Sequence, residues 1–139
     1  MAFETALGGV ALLVGRALFA AVLGFLAFGN LQELDETVAY AESKGAPGAR
    51  LTVPLASVAL VAGAGSILLG FAPAVGALAV FGFLVGVTPV MHDFWNQEGM
   101  DRQNEQIHFL KNVGLAGTAV VFLALAATPW PYAVGPTLL

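Results

Sequence analysis

The chain has 139 residues, one domain's worth, of which 58% are apolar and only 10% charged, with a mean hydropathy of +0.85. Soluble domains carry about 25% charged residues, so this deficit points to a non-aqueous solvent. With no cysteine, a net charge of −4 and no basic stripe, the chain alone supplies no disulfide, thiol redox centre, iron–sulfur cluster or Cys-ligated zinc, and nucleic acid is not an expected partner. The acidic, Ala/Gly/Val-rich and lysine-poor composition has a halophile-like character.

Four apolar stretches are long enough to cross roughly 30 Å of hydrocarbon, which takes about 20 helical residues. They cover about 5–28, 53–71, 74–91 and 107–127. None alternates with period two as barrel strands do, and helices pair their own backbone groups in hydrocarbon. The predicted fold is all-α: one polytopic domain over 1–139, four transmembrane helices in an up-down-up-down bundle.

The first stretch opens on Met1-Ala2-Phe3-Glu4, with no basic side chain. Its apolar run exceeds the usual signal-peptide core of about 7–15 residues, so it reads as a retained helix. Arg16 lies near its middle, about 17 Å from either end at roughly 1.5 Å per residue. A central arginine costs roughly 2.5–3.5 kcal/mol on insertion scales and needs a partner or a polar cavity. Two roles stay open: an anchor for an anionic or carbonyl-bearing ligand inside the bundle, or a structural arginine that hydrogen-bonds helix carbonyls and a buried acid, or snorkels. Asp93, Asn30 and Gln32 are its candidate side-chain partners.

The first connection, 30–51, is long and polar. Leu34, Val38, Ala39 and Ala41 can form one face of a short interfacial helix over 35–43; a solvated loop fits equally well. The second connection, Phe71-Ala72-Pro73, makes a tight hairpin, and Pro73 suits the first turn of a helix. The third connection, 92–106, is charged. It begins Met91-His92-Asp93-Phe94-Trp95 and leads into Glu105-Gln106-Ile107-His108-Phe109-Leu110-Lys111-Asn112. From a helix start near Glu105, Glu105, His108 and Asn112 share one face, and His92 and His108 meet at one membrane surface. The two histidines are spaced unlike any compact metal motif, so no metal is expected. A polar network closing that end of the bundle is the simpler reading, with Phe94 and Trp95 as interface aromatics or a stacking platform for a quinone ring. In the tail, Trp130 and Tyr132 read as interfacial anchors.

Lys44, Arg50, Arg102 and Lys111 all lie in or beside the two long connections. The positive-inside rule places those connections in the cytoplasm and both termini outside. Small residues line the helices, with Gly82 and Gly86 forming a GxxxG and Ala17, Ala20, Ala21 and Gly24 recurring on the first helix; such faces favour close packing.

The segments His92-Asp93-Phe94-Trp95 and His108-Phe109-Leu110-Lys111-Asn112 resemble the H-x-F-W and F-x-K-N motifs of the DoxX family of small four-helix membrane proteins. Gly15-Arg16-Ala17-Leu18-Phe19 and Phe28-Gly29-Asn30-Leu31 are similar to the family's first helix. Two features depart from the pattern. The stretch from Ser57 to Gly63 holds no glutamate, and the family's lysine after the first helix is replaced near Gln32-Glu33. Some DoxX-like proteins are subunits of quinone-linked oxidoreductases, and others belong to oxidative-stress complexes. The resemblance therefore implies a quinone- or lipid-binding membrane subunit of a redox complex, not a lone enzyme. The candidate ligand-binding residues are Arg16, Asn30, His92, Asp93, Trp95, His108, Lys111 and Asn112. The expected partners are membrane lipids, other redox subunits or further copies of the chain. The alternative is a non-enzymatic module that packs against lipid or a partner membrane protein. A small transporter fits less well, because paired broken helices are missing.

Overall fold

The computed structural model describes residues 2–136. It is all-α, with α1 at Ala6–Gln32, α2 at Leu34–Ser43, α3 at Ala49–Leu69, α4 at Pro73–Met91 and α5 at Gly99–Leu125. Four of these helices, all but α2, are long and apolar enough to cross a membrane. They alternate in direction, with α1 against α3, α3 against α4 and α4 against α5. The bundle thus has a hairpin end, where α3 turns into α4, and a charged end, where α2 and the α4–α5 connection lie.

Local chemistry sets the element ends. Thr5 caps α1 by accepting from the Gly8 N–H at 3.0 Å. Gly70 stops α3 in the left-handed region at φ 68°. Only Glu33, at φ −111° and ψ 48°, separates α1 from α2, so the 30–51 connection is mostly helix. Of its two readings, the interfacial helix is the one the fold adopts. Two long helices also exceed their apolar runs. α1 continues to Gln32, and α5 starts at Gly99, eight residues before Ile107. Hydropathy marks where a helix meets hydrocarbon, whereas hydrogen bonding continues into the polar layer.

The core is small-residue packing around a few large side chains. Leu23, Ala27, Leu60, Ala64, Ile67, Ala77, Val80, Leu84, Ala119 and Phe122 are buried. Phe19 and Phe122 bring α1 to α5, with ring centroids 5.2 Å apart. The outward faces stay apolar, as Leu18, Phe25, Val58, Leu78 and Val121 illustrate, consistent with a lipid surround.

Close helix contact falls elsewhere than the sequence motifs suggest. Gly82, Gly86 and Gly24 have nothing within 4 Å of where a Cβ would stand, and Ala17 and Ala21 are exposed. The tight crossing is at Gly63 and Gly76. A Cβ on Gly76 would stand 2.5 Å from Ser66 Oγ and 2.9 Å from the Gly63 carbonyl oxygen.

The tail folds back over the hairpin end. Val134 N–H donates to the Leu69 carbonyl and Ala72 N–H to the Pro136 carbonyl, each at 2.8 Å. Trp130 is buried, donating Nε1–H to the Leu125 carbonyl at 2.9 Å and packing on Phe122. Its anchoring is thus inward, into the bundle, while Tyr132 is exposed.

Candidate functional site

Arg16 belongs to the hairpin end. Its guanidinium is fully buried. Nε donates to the Ile67 carbonyl at 3.0 Å, Nη1 to the Pro131 carbonyl at 2.8 Å, and Nη2 to the carbonyls of Leu68 and Tyr132. The last turn of a helix has carbonyls without helical donors, and arginine offers five N–H groups in a planar fork. The guanidinium also lies over the Trp130 ring, 5.3 Å from its centroid. Asp93, Asn30 and Gln32 are not among its partners. The structure does not bring Arg16 to the other candidates; it makes Arg16 the clamp that joins α1, the end of α3 and the tail.

The other seven candidates gather at the charged end. α4 ends at Met91 and α5 begins near the same surface, so His92 faces the first turns of α5. His92 Nδ1 and Glu105 Oε2 are 2.7 Å apart. One turn on, the His108 ring stacks on His92, with centroids 5.2 Å apart and planes at 24°. One further turn on, Asn112 is buried and donates to Thr88 Oγ1 at 3.1 Å. Glu105, His108 and Asn112 thus form one seam against α4, as their helical spacing predicts.

α2 is tied across this seam. Tyr40 donates to Glu105 Oε1 at 2.8 Å. Lys44 Nζ donates to Asp93 Oδ1 at 2.6 Å, and Asn96 Nδ2 donates to Asp93 Oδ2 at 3.1 Å. The bond to Asp93 raises the Lys44 ammonium above the ordinary lysine range. Partial burial, then the hydrogen bond that the phenol donates to the neighbouring Glu105 carboxylate, pushes Tyr40 up. Trp95 sits outside the seam in an edge-to-face cluster with Phe94 and Phe109, at centroid distances of 5.3 and 5.8 Å.

Beneath α2 lies a cavity of about 520 Å³. Its deep wall is apolar, built from Leu23, Leu26, Leu60, Phe83 and Leu84. Its mouth holds Asn30, Glu36, Thr37, Tyr40, His92, His108, Lys111 and Asn112. The mouth residues divide in two. Thr37, Tyr40, His92 and Asn112 are bonded to neighbours in the chain. The side chains of Asn30, Glu36, His108 and Lys111 make no hydrogen bond or ion pair among the described residues. They are the groups left to meet a ligand. Asp93 and Trp95 do not line the cavity; Asp93 instead holds Lys44 and so α2. The arrangement suits a molecule with an apolar body and an oxygen-bearing head.

Tyr40, Lys44 and Thr88 complete the site without having been singled out in the sequence. A signal for α2 was present: Thr37, Tyr40, Ala41 and Lys44 recur at i, i+3, i+4 and i+7. Thr88 carried none, since a lone threonine in an apolar run bonds its own helix as readily as a neighbour.

The DoxX family model matches residues 11–93, from α1 through the His92-Asp93 end of α4. Inner membrane protein YphA of Escherichia coli (strain K12) is 36% identical over 121 residues, which cover 86% of this chain and 83% of the relative. No solved structure matches the chain. With the family model spanning more than half of its length and a relative aligned over most of the remainder, this four-helix integral membrane protein belongs to the DoxX family.

Proposed function

We propose that the protein is a membrane subunit that binds an amphipathic, oxygen-headed ligand, a quinone or a lipid, on behalf of a redox complex. The observation that carries this reading is the cavity of about 520 Å³, apolar in its depth and lined at its mouth by the free side chains of Asn30, His108 and Lys111. The lysine and the amide supply donors for carbonyl or phosphate oxygens, and the histidine can donate or accept. Family likeness supports the redox setting. The chain has no cysteine, so electrons would come from other subunits or from a soluble protein docking on the long connections. Likeness to the inner-membrane relative supports a place in the cell membrane, and the lysine and arginine distribution supports an orientation with the charged end in the cytoplasm and both termini outside.

The test is extraction. Protein purified in mild detergent is analysed for co-purifying quinones and phospholipids by mass spectrometry. Wild type is expected to retain one class in near-stoichiometric amount, and Lys111→Met with Asn30→Leu to lose it. Retention no greater than that of an unrelated membrane protein of similar size overturns the reading. A second reading, a non-enzymatic interaction module, is favoured by the exposed, open faces of Gly82 and Gly86 on α4. It predicts a defined oligomer or partner complex that survives removal of every bound small molecule.

A further inference from the structure

The helices α3 and α4 touch closely at Gly63 and Gly76, near the hairpin. Toward the charged end they part. Between Ala56 on α3 and Gly86 and Val90 on α4 lies a side slot of about 210 Å³. It shares Asn30, Thr37, Phe83, Val87 and Met91 with the main cavity, so the two spaces adjoin through common walls. Gly86 is exposed, with nothing within 4 Å of its missing side chain, so the slot meets the outer face of the bundle there. Pro54 and Pro89 sit inside α3 and α4 at this same splayed end. Neither can donate a backbone N–H, and each weakens its helix locally.

We propose that this slot is the tail channel of the site described above, so that the ligand is a long-chain amphiphile entering sideways from the bilayer. The inference rests on the ligand-binding reading and adds the ligand class. Three features support it. The slot walls are mainly apolar, with Val53, Ala56, Phe83, Val87 and Val90 among them. Asn30, His108 and Lys111, whose side chains have no hydrogen-bond partner among the described residues, line the adjoining cavity. Both flanking helices are long and apolar enough to span the bilayer, and the exposed Gly86 opens the slot on their outer face, so on this proposal a chain leaves the site into hydrocarbon without entering water. Isoprenoid and acyl tails share this chemistry, and the experiment separates them.

The variant Gly86→Phe fills the slot from an open position. Gly82→Phe, one turn away on α4 and equally open, lies outside the slot lining and serves as the control. Ala56→Trp closes the slot from the α3 wall. Each protein is placed in nanodiscs and titrated with a long-tailed benzoquinone, its tail-free parent ring, a diacyl phosphatidylglycerol and glycerol phosphate. Thermal midpoints report folding. We expect the two slot variants to lose affinity for one long-chain probe at least tenfold, to bind its tail-free head as wild type does, and Gly82→Phe to match wild type throughout. Whichever long-chain probe wild type prefers identifies the tail class. If folded Gly86→Phe and Ala56→Trp bind the preferred long-chain probe as wild type does, the channel is refuted while the head site stands. If wild type binds none of the four probes, both the site and its channel fall.

Discussion

Tyr40 and Glu105, 65 residues apart in the chain, share a hydrogen bond of 2.8 Å. That contact closes the interfacial helix α2 onto the first turns of α5. Glu105 in turn holds His92, so one carboxylate joins three helices. Tyr40→Phe removes the donor and leaves the ring. Tyr40 is 39% exposed, so the expected cost is about 1 kcal/mol, below the usual range for fully formed bonds to charged groups. Faster proteolysis within 34–46, with the rest of the bundle unaffected, is the expected readout. Cleavage at the wild-type rate would show that the contact does not hold α2 down.

Lys44 gives a pH signature. Its bond to Asp93 raises the ammonium's folded-state value above that of the unfolded chain. The folded state then holds the proton more tightly, and the stability this contributes is fully present below the unfolded lysine value, about 10.4. It is lost as pH rises through the raised folded value. Tyr40, also pushed up, adds a loss in the same direction above about 10. The contribution of these two groups to the thermal midpoint should therefore be flat near neutrality and fall in strong alkali. Lys44→Met should be less stable at neutral pH and show a shallower alkaline fall. An unchanged alkaline limb in that variant would remove Lys44 from the account.

Arg16 should prove structural. Arg16→Met leaves four carbonyl acceptors, those of Ile67, Leu68, Pro131 and Tyr132, without this donor. A buried acceptor left unpaired costs about 1–3 kcal/mol, so with water reaching the exposed tail a net loss on the order of 3 kcal/mol is expected. The tail should become protease-sensitive, whereas occupancy of the charged-end cavity should not change. Arg16→Lys should rescue only part of the loss, because a compact ammonium lacks the planar fork. Loss of bound ligand from a stably folded Arg16→Met protein would contradict this division of roles.

Two glycines on one helix should respond oppositely to alanine. At Gly76 the new methyl meets Ser66 and the Gly63 carbonyl, and overpacking of this kind costs about 1–3 kcal/mol. At Gly86 it meets open space, and the gain in helix propensity is up to about 1 kcal/mol. Denaturation midpoints of the two variants, measured side by side, should bracket wild type. The reverse order would mean that α3 and α4 cross elsewhere.

Orientation is tested by single cysteines, which the natural chain does not contain. Cysteine at Ser43 or Met100, at the charged end, should be shielded from an impermeant thiol reagent in intact cells. Cysteine at Val134, beside the hairpin, should react. Thr137, an equally natural choice by sequence, lies outside the described residues. The opposite labelling pattern would invert the protein in the membrane.

The spans were legible because hydrocarbon imposes a length and a composition that few other environments demand. The seam of Glu105, His108 and Asn112 was legible for a similar reason: helical periodicity places them on one face before any fold is known. Arg16 shows where such reading stops. Bonding to helix carbonyls was one of its expected roles and is the one the fold adopts; which carbonyls accept was not legible, because every residue carries one, and the side-chain candidates Asp93, Asn30 and Gln32 are not among its partners. Gly76 was silent in the same way, since close approach depends on which glycine meets a neighbour and not on a GxxxG spacing. Trp130 was read at the membrane surface from its type, but the turn of Pro129-Trp130-Pro131 sends it inward onto Phe122.

The clamp at Arg16 has a consequence for traffic. Between it and the cavity stand Phe19, Ala64, Ile67, Ala77 and Phe122, all buried, and above it the tail is laced to the hairpin. The interior is therefore a cul-de-sac. A ligand held as proposed would depart by the mouth or by the flank, not through this packed wall. On the proposed reading, the coming and going of a ligand at the charged end would need to open no path through the packed hairpin end.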